Sequence, residues 1–78
     1  MNSSRDDLLA TAATFRRLPD RRQRVLIRKR AGVSQRSMAT ALGVSTMTLA
    51  RWEKGLRPRS GNAAAYLELL DELEQLTG

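Results

Sequence analysis

The sequence predicts an all-α fold of five helices. Apolar residues recur three and four positions apart along most of the chain, which is the spacing of a helix that buries one face. Ser34 and Ser45, residues of a type that favours helix N-termini, stand immediately before two of these segments. Residues that interrupt helices separate the segments: Pro19, Gly32, Gly43 and Pro58.

The first helix is expected over residues 4 to 16. Ser3 and Ser4 precede Asp6 and Asp7, an arrangement typical of a capped helix N-terminus. The helix carries an apolar stripe, which consists of Leu8, Leu9, Ala12, Ala13 and Phe15. This stripe either packs within the same chain or contacts a second copy, and the sequence favours neither alternative.

The second helix is expected to begin after Leu18-Pro19-Asp20 and to run to about Ala31. Proline disfavours helix at the residue before it, but it is tolerated in a first turn. Ile27 and Ala31 lie one turn apart and form the buried face of this helix. Gly32 closes it.

Residues 35–54, QRSMATALGVSTMTLARWEK, predict two short helices joined by a tight turn. Gly43 suits this turn because glycine adopts a positive φ without a steric penalty. Leu49 and Trp52, three residues apart, give the second short helix a buried face. Thr46, Met47 and Arg51 then point outward from the same helix.

The last helix is expected over residues 63–76, after a loop that Pro58 restricts. Tyr66, Leu69, Leu73 and Leu76 follow a three-four spacing, and Leu67 and Leu70 widen the stripe, so that one flank can close the core and the other can meet a partner. The core itself is expected to consist of Ile27, Val33, Met38, Ala39, Leu42, Val44, Leu49 and Trp52.

Charge is distributed unevenly along the chain. The net charge is +6, but between Arg16 and Arg59 there are thirteen Lys and Arg residues and only two acids, Asp20 and Glu53. From Ser60 onward there are four acids and no base. A solvated surface is the simpler explanation for mixed charges, whereas an excess of one sign indicates a polyanionic partner such as nucleic acid.

The composition excludes most catalytic chemistry. The chain has no cysteine and no histidine, which removes disulfides, thiolate nucleophiles, imidazole bases and the common zinc sites. We therefore expect no enzyme activity, no cofactor and no metal ion. Nothing in the sequence resembles a signal peptide or a membrane span, so a cytoplasmic, nucleoid-associated protein is expected.

The paired short helices resemble the lambda-repressor-like, Cro-type helix-turn-helix DNA-binding family. The resemblance covers roughly residues 20 to 60 and rests on Gln35, Met38, Ala39, Leu42, Gly43, Val44, Leu49 and the tail Trp52-Glu53-Lys54-Gly55. It implies a single domain over residues 1–78, with the motif at 35–54, an additional N-terminal helix and a long C-terminal helix.

The resemblance also assigns roles to individual residues. In this family the second helix of the motif lies in the major groove, which implies base-reading positions at Thr46, Met47, Thr48 and Arg51. Phosphate contacts are implied at Gln35, Ser45, Lys54, Arg57 and Arg59. Arg28 and Glu53 match a structural ion pair of the family. Arg24 replaces a frequently aliphatic residue, and its guanidinium is expected to reach solvent or DNA.

The implied function is sequence-specific binding of double-stranded DNA by a transcriptional regulator of the phage or prophage Cro-like repressor type. A homodimer, formed through the N-terminal or C-terminal helix, is expected on a palindromic operator, and monomeric binding to an asymmetric site is the fallback. Two alternatives stay open. One is a recombination directionality or antitoxin-type accessory DNA-binding protein, and the other is a helical adaptor whose apolar end helices bind another protein.

Overall fold

A computed structural model describes residues 3–77, and over this range the chain forms five helices and no strands. The helices are α1 (Ser3–Arg17), α2 (Arg21–Arg30), α3 (Gln35–Leu42), α4 (Thr46–Glu53) and α5 (Ser60–Thr77). The all-α, five-helix prediction is thereby confirmed. Of the two predicted capping serines of α1, Ser4 lies inside the first turn, and the side chain of Ser3 is outside what the structure describes.

Side-chain caps begin the three central helices. Ser34 accepts a hydrogen bond from the Ser37 amide at 3.0 Å, and Ser45 accepts one from the Thr48 amide at 3.1 Å, so both predicted caps are confirmed. Asp20 caps α2 in the same way by accepting from the Gln23 amide at 2.9 Å. Pro19 predicts the boundary between α1 and α2, and the structure adds Asp20 as the cap.

The turn between α3 and α4 depends on Gly43. Its φ is 70°, in the left-handed region where a side chain would add strain. The Val44 amide then donates to the Ala39 carbonyl at 3.0 Å, which closes the end of α3 in the manner of a glycine C-cap. This geometry turns the chain within a few residues and lets Val44 pack against the core.

The core lies between the inner face of α5 and the helix-turn-helix. Ile27, Met38, Ala39, Leu49 and Trp52 are buried as predicted, and Val33, Leu42 and Val44 are partly buried against them. The remaining buried apolar residues are Leu18, Ala63, Tyr66, Leu67, Leu70 and Leu73. The Trp52 and Tyr66 rings pack with centroids 5.0 Å apart, so α5 covers the buried face of α4.

The terminal helices bury less than their apolar stripes suggested. In α1, which packs on α5, Phe15 is partly buried, whereas Leu8 and Leu9 are 68% and 56% exposed. In α5 the buried face runs through Leu67 and Leu70, and Leu76 is 82% exposed. Both helices therefore leave leucines in solvent. None of the helices within residues 3–77 is both long and apolar enough to cross a bilayer.

Arg24 corrects an expectation. Its Nε donates to the Pro19 carbonyl at 2.7 Å and its Nη1 donates to the Trp52 carbonyl at 3.1 Å, while its guanidinium lies 5.9 Å from the centre of the Tyr66 ring. The side chain thus points into the protein and joins α2, α4 and α5, not toward solvent or DNA. One backbone carbonyl before α2 and one near the end of α4 provide the acceptors, which a sequence pattern does not reveal.

Candidate nucleic-acid interface

Helix α4 has one buried and one exposed face. Leu49 and Trp52 are 0% and 2% exposed, and they anchor the helix in the core. Thr46, Met47 and Arg51 lie on the opposite face and are exposed, Met47 to 64%. An exposed methionine between a threonine and an arginine provides apolar contact, hydroxyl donors and a guanidinium on one surface, which are the groups that read base edges in a major groove.

Four of the residues predicted from the sequence to contact DNA surround one concavity beside the N-terminus of α4. This depression has a volume of about 420 Å³ and is lined in part by Ser45, Thr48, Arg57 and Arg59. Arg57 and Arg59 are exposed, and the buried Pro58 between them fixes the loop. Asn62, in the first turn of α5, lines the same depression.

Ser45 and Thr48 already bond to each other at this site. The Ser45 hydroxyl donates to the Thr48 hydroxyl at 2.9 Å and accepts from the Thr48 amide. Thr48 is half-buried on the flank of α4 that faces the loop. Thr48 therefore lies beside the loop and not on the outward face with Arg51.

Arg57 packs against α1. Its guanidinium carbon lies 4.7 Å from the centre of the Phe15 ring, a cation–π distance. A guanidinium carries five N–H donors and the ring accepts no ordinary hydrogen bond from them at this contact, so Arg57 keeps donors for a phosphate. The additional N-terminal helix is thereby linked to a loop that carries two candidate phosphate contacts.

Gln35 and Lys54 lie elsewhere, at the C-terminal end of α4. Gln35 donates to the Glu53 carboxylate at 2.9 Å, and Lys54 borders a concavity on the outer side of α2. A phosphate contact by the Gln35 side chain therefore competes with this internal hydrogen bond. The structure separates these two residues from the group around the Pro58 loop.

Arg28 and Glu53 form a buried bidentate pair. The Arg28 Nε and Nη2 donate to the two Glu53 oxygens at 2.5 Å and 3.0 Å, and the side chains are 10% and 5% exposed. Arg28 also donates to the Val33 carbonyl at 2.9 Å. The pair thus ties α2 to the turn before α3 and to the end of α4, and together with Gln35 it holds the two helices of the motif in place.

Opposing effects act on the Glu53 carboxyl. Burial by itself raises its pKa, but hydrogen bonds from Arg28 and Gln35, with the positive charges of Arg28 and Lys29, lower the pKa below the usual glutamate value. The carboxylate is therefore ionised at neutral pH and is occupied by internal partners. This arrangement suits a structural role and leaves Glu53 unable to repel a phosphate strongly.

Two arginines of α2 stabilise the end of α4, a role that the sequence analysis missed. Arg21 donates to the Lys54 carbonyl at 3.1 Å, and Arg24 donates to the Trp52 carbonyl at the same distance. Cations at a helix C-terminus interact favourably with its dipole and its unpaired carbonyls. The spacing of these arginines, three apart on one helix face, is the only signal in the sequence that could have indicated it.

Most of the basic side chains have no acidic partner. Among residues 3–77, ion pairs involve only Arg17 with Asp71 at 3.8 Å and Arg28 with Glu53. The exposed cations near α4, which include Arg51, Arg57 and Arg59, therefore contribute an unneutralised positive field. Such a field attracts a phosphate backbone and makes binding depend on salt.

Sequence comparison then decides the family. A helix-turn-helix family model matches residues 26–75, a range that contains α3 and α4 in full. The chain belongs to the lambda-repressor/Cro-like helix-turn-helix family. No curated protein and no solved structure matches the chain.

Membership of this helix-turn-helix family defines the general role of the surface described above. The family consists of DNA-binding regulatory domains and is not typically enzymatic. In helix-turn-helix proteins the second helix of the motif enters the major groove and the first crosses the backbone. Helix α4 is the second helix of this motif, and DNA is the partner that the family implies.

Proposed function

We propose that residues 1–78 form one DNA-binding domain, a transcriptional regulator of the Cro-like repressor type that reads a specific sequence in the major groove with α4. The observation that carries this proposal is the exposed face of α4, where Thr46, Met47 and Arg51 project from a helix whose other face is anchored in the core. A rigid helix with chemically varied exposed side chains is suited to reading bases, because its anchors restrict how it can lie in the groove.

Arg51 is the principal base-reading residue in this proposal. A guanidinium can donate two hydrogen bonds to guanine O6 and N7, which discriminates against other bases by about 1–3 kcal/mol. Met47 supplies the apolar contact that suits a thymine methyl group. Thr46, at the first position of α4, can donate its hydroxyl to a base edge or to a phosphate.

Phosphate binding is assigned mainly to the depression beside the Pro58 loop. Arg57 and Arg59 supply charge there, and Ser45 lies at the N-terminus of α4, where the helix dipole favours an anion. Lys54 and Gln35 are secondary phosphate contacts in this proposal, since the Gln35 side chain already donates to Glu53. Such contacts determine register and affinity but carry little sequence information.

The specific form that we propose is a phage or prophage repressor that binds a palindromic operator as a homodimer. The exposed leucines of α1 and α5 support self-association, because a partner would remove them from water. Two copies of α4 would then lie about 34 Å apart and enter successive major grooves.

Selection of bound sequences from random duplex DNA tests the proposal most directly. We expect enrichment of a two-fold symmetric sequence and affinity that falls steeply as salt is raised. Enrichment of an asymmetric site would retain DNA reading but exclude the palindromic operator. Recovery of no sequence, with equal affinity for all duplexes, would exclude specific regulation.

Single substitutions separate base reading from phosphate binding. Arg51→Ala should cost about 1–3 kcal/mol on the selected site and little on unrelated DNA. Arg59→Ala should weaken binding to every duplex and reduce the salt slope by about 1. Arg17→Ala is the matched control, because it removes the same charge from a residue paired with Asp71 on α5. If Arg51→Ala lowers affinity equally for all duplexes, Arg51 contacts the backbone and does not read a base.

A further inference from the structure

The outer side of α2 carries a concavity that shares only Lys54 with the proposed DNA contacts. It lies against the C-terminal end of α4 and has a volume of about 520 Å³. Val25 and Leu26 supply its apolar surface, and Leu26 is 47% exposed although it sits in the middle of a helix. We call this feature the α2 groove.

The rim of the α2 groove is positively charged. It consists of Arg21, Arg22, Lys29 and Lys54. Glu53 also borders the groove, but its carboxylate is occupied by Arg28 and Gln35 and does not neutralise the rim. An apolar surface between cations is complementary to a helix that alternates leucine with acidic residues.

The outer face of α5 has this alternating character. Leu76 is 82% exposed, and Leu69, two turns before it, is half-buried because one side of it packs against the core. Glu68 and Glu72 lie beside them and are exposed. No base occurs from Ser60 onward, so the charge of this face is opposite to that of the groove along its whole length.

We propose that the α2 groove binds the outer face of α5 from a second copy of this chain. Leu69 and Leu76 of one copy cover Leu26 of the other, and Glu72 approaches Arg22. The proposal rests on the dimeric form of the function proposed above and names the surfaces that would make the dimer. Arg22, Leu26 and Lys29 occupy positions i, i+4 and i+7 of α2, so the groove presents one helix face about 10 Å long to a partner helix.

The exposed leucines of α1 fit this groove less well. The depression beside Leu8 also contains Arg16 and Arg57, which would bring like charges toward the cationic rim. Like charges that meet across an interface oppose association. Of the two helices with exposed leucines, α5 is thus the one whose charge matches.

Two charge reversals test the pairing. In Arg22→Glu the groove should repel α5, and in Glu72→Arg the outer face of α5 should repel the groove. Each variant alone should self-associate at least about tenfold more weakly than the natural protein by sedimentation equilibrium. An equimolar mixture should recover association, because the reversed groove of one variant then meets the reversed α5 of the other.

A matched control separates this specific pairing from a general effect of charge. Arg5→Glu makes the same change of charge on α1, where it should leave self-association nearly unchanged. In a mixture with Glu72→Arg it should leave the Glu72→Arg chains as weakly associated as they are alone. Circular dichroism should show the same helix content in all variants. Since Arg22 and Glu72 are not among the proposed DNA contacts, each variant should still bind a duplex that carries one half-site.

Several outcomes would overturn the inference. It fails if the natural protein stays monomeric at about 100 µM, where even a weak dimer associates, or if the mixture stays as dissociated as the separate variants. It also fails if an acidic, leucine-containing peptide unrelated to α5 binds the groove while the protein remains monomeric. Salt-sensitive, sequence-specific binding that persists in those cases would leave the proposed function intact. If the mixture recovers association but the protein shows no sequence-specific DNA binding, the helix pairing is supported and the proposed function is excluded.

Discussion

The buried pair between Arg28 and Glu53 allows a quantitative test of what holds the helix-turn-helix together. Glu53→Ala removes three hydrogen bonds, two from Arg28 and one from Gln35. Among residues 3–77, it also leaves the Arg28 guanidinium with only the Val33 carbonyl as a partner. Because the side chain of Arg28 is 10% exposed, its charge then lies in a poorly hydrated site.

The expected loss is large for a protein of this size. Removing one partner of a buried ion pair typically costs about 3–5 kcal/mol. A chain of 78 residues has an expected free energy of unfolding of about 4–12 kcal/mol. Glu53→Ala should therefore remove about a quarter or more of the stability, and at the lower end of the stability range the variant would be substantially unfolded without denaturant.

Trp52 provides the assay. It is the only tryptophan in the chain, is 2% exposed and packs against Tyr66, so its fluorescence should change on unfolding. With a urea dependence of about 1 kcal/mol per molar for a small domain, the midpoint should fall by about 3–5 M. Circular dichroism of the helices should give the same transition if unfolding is two-state.

A double substitution distinguishes the destabilisation caused by a buried, unpaired charge from the net contribution of the ion pair to stability. Arg28→Met with Glu53→Leu replaces both partners by apolar residues of similar volume, which is often nearly neutral for a buried pair. The double variant should therefore be more stable than Glu53→Ala. A loss below about 1 kcal/mol for Glu53→Ala, or a double variant less stable than the single one, would refute the reasoning.

Three further predictions concern Glu53, Tyr66 and Phe15. The pKa of Glu53 in the folded protein lies below its unfolded value near 4.5, so ionisation of Glu53 stabilises the protein above that pH. The natural protein should therefore be more stable than Glu53→Gln near neutral pH, and this difference should disappear as the pH falls through the folded pKa. Urea titrations between pH 2 and 7 would measure it. The Tyr66 hydroxyl is buried and has no hydrogen-bond partner among residues 3–77. Its pKa is raised to about 12, mainly by burial and to a smaller extent by the net effect of nearby charges. Tyr66→Phe should leave thermal stability unchanged or raise it by up to about 1 kcal/mol, and a clear loss would mean that the hydroxyl has a partner. Phe15→Leu should weaken DNA binding in the same salt-dependent way as Arg57→Ala, and a double-mutant cycle should show that the two effects are not additive, whereas full additivity would mean that Phe15 does not position Arg57.

Local features of the sequence were sufficient for the helices and for the part of the core that α2, α3 and α4 contribute. Ser34 and Ser45 predicted caps, and Gly43 predicted the turn, because capping and positive φ depend on one residue and its immediate neighbours. Leu49 and Trp52 were identified as buried because periodicity reveals which face of a helix is apolar. The roles of Thr46, Met47 and Arg51 in reading bases stay predictions, since they concern DNA.

Arg24 and the terminal helices show where sequence reasoning stopped. The sequence presents Arg24 as one cation among many, and only the fold brings the Trp52 carbonyl within its reach. Leu76 shares the apolar spacing of α5, but the core ends before it and leaves it exposed. Helical periodicity predicts which side of a helix a residue lies on. It does not predict how far along the helix the packed core extends.

The sequence by itself determined an all-α helix-turn-helix protein with a basic central segment and an acidic last helix. These properties depend on residue type and spacing, which act over a few positions along the chain. Only the tertiary structure decided that Arg57 stacks on Phe15, that Glu53 joins Arg28 and Gln35 in one network, and that Leu26 lies exposed between cations. The first two are contacts between residues of different segments, and the third is the lack of a helix over Leu26. Both kinds of feature depend on how the helices pack against one another.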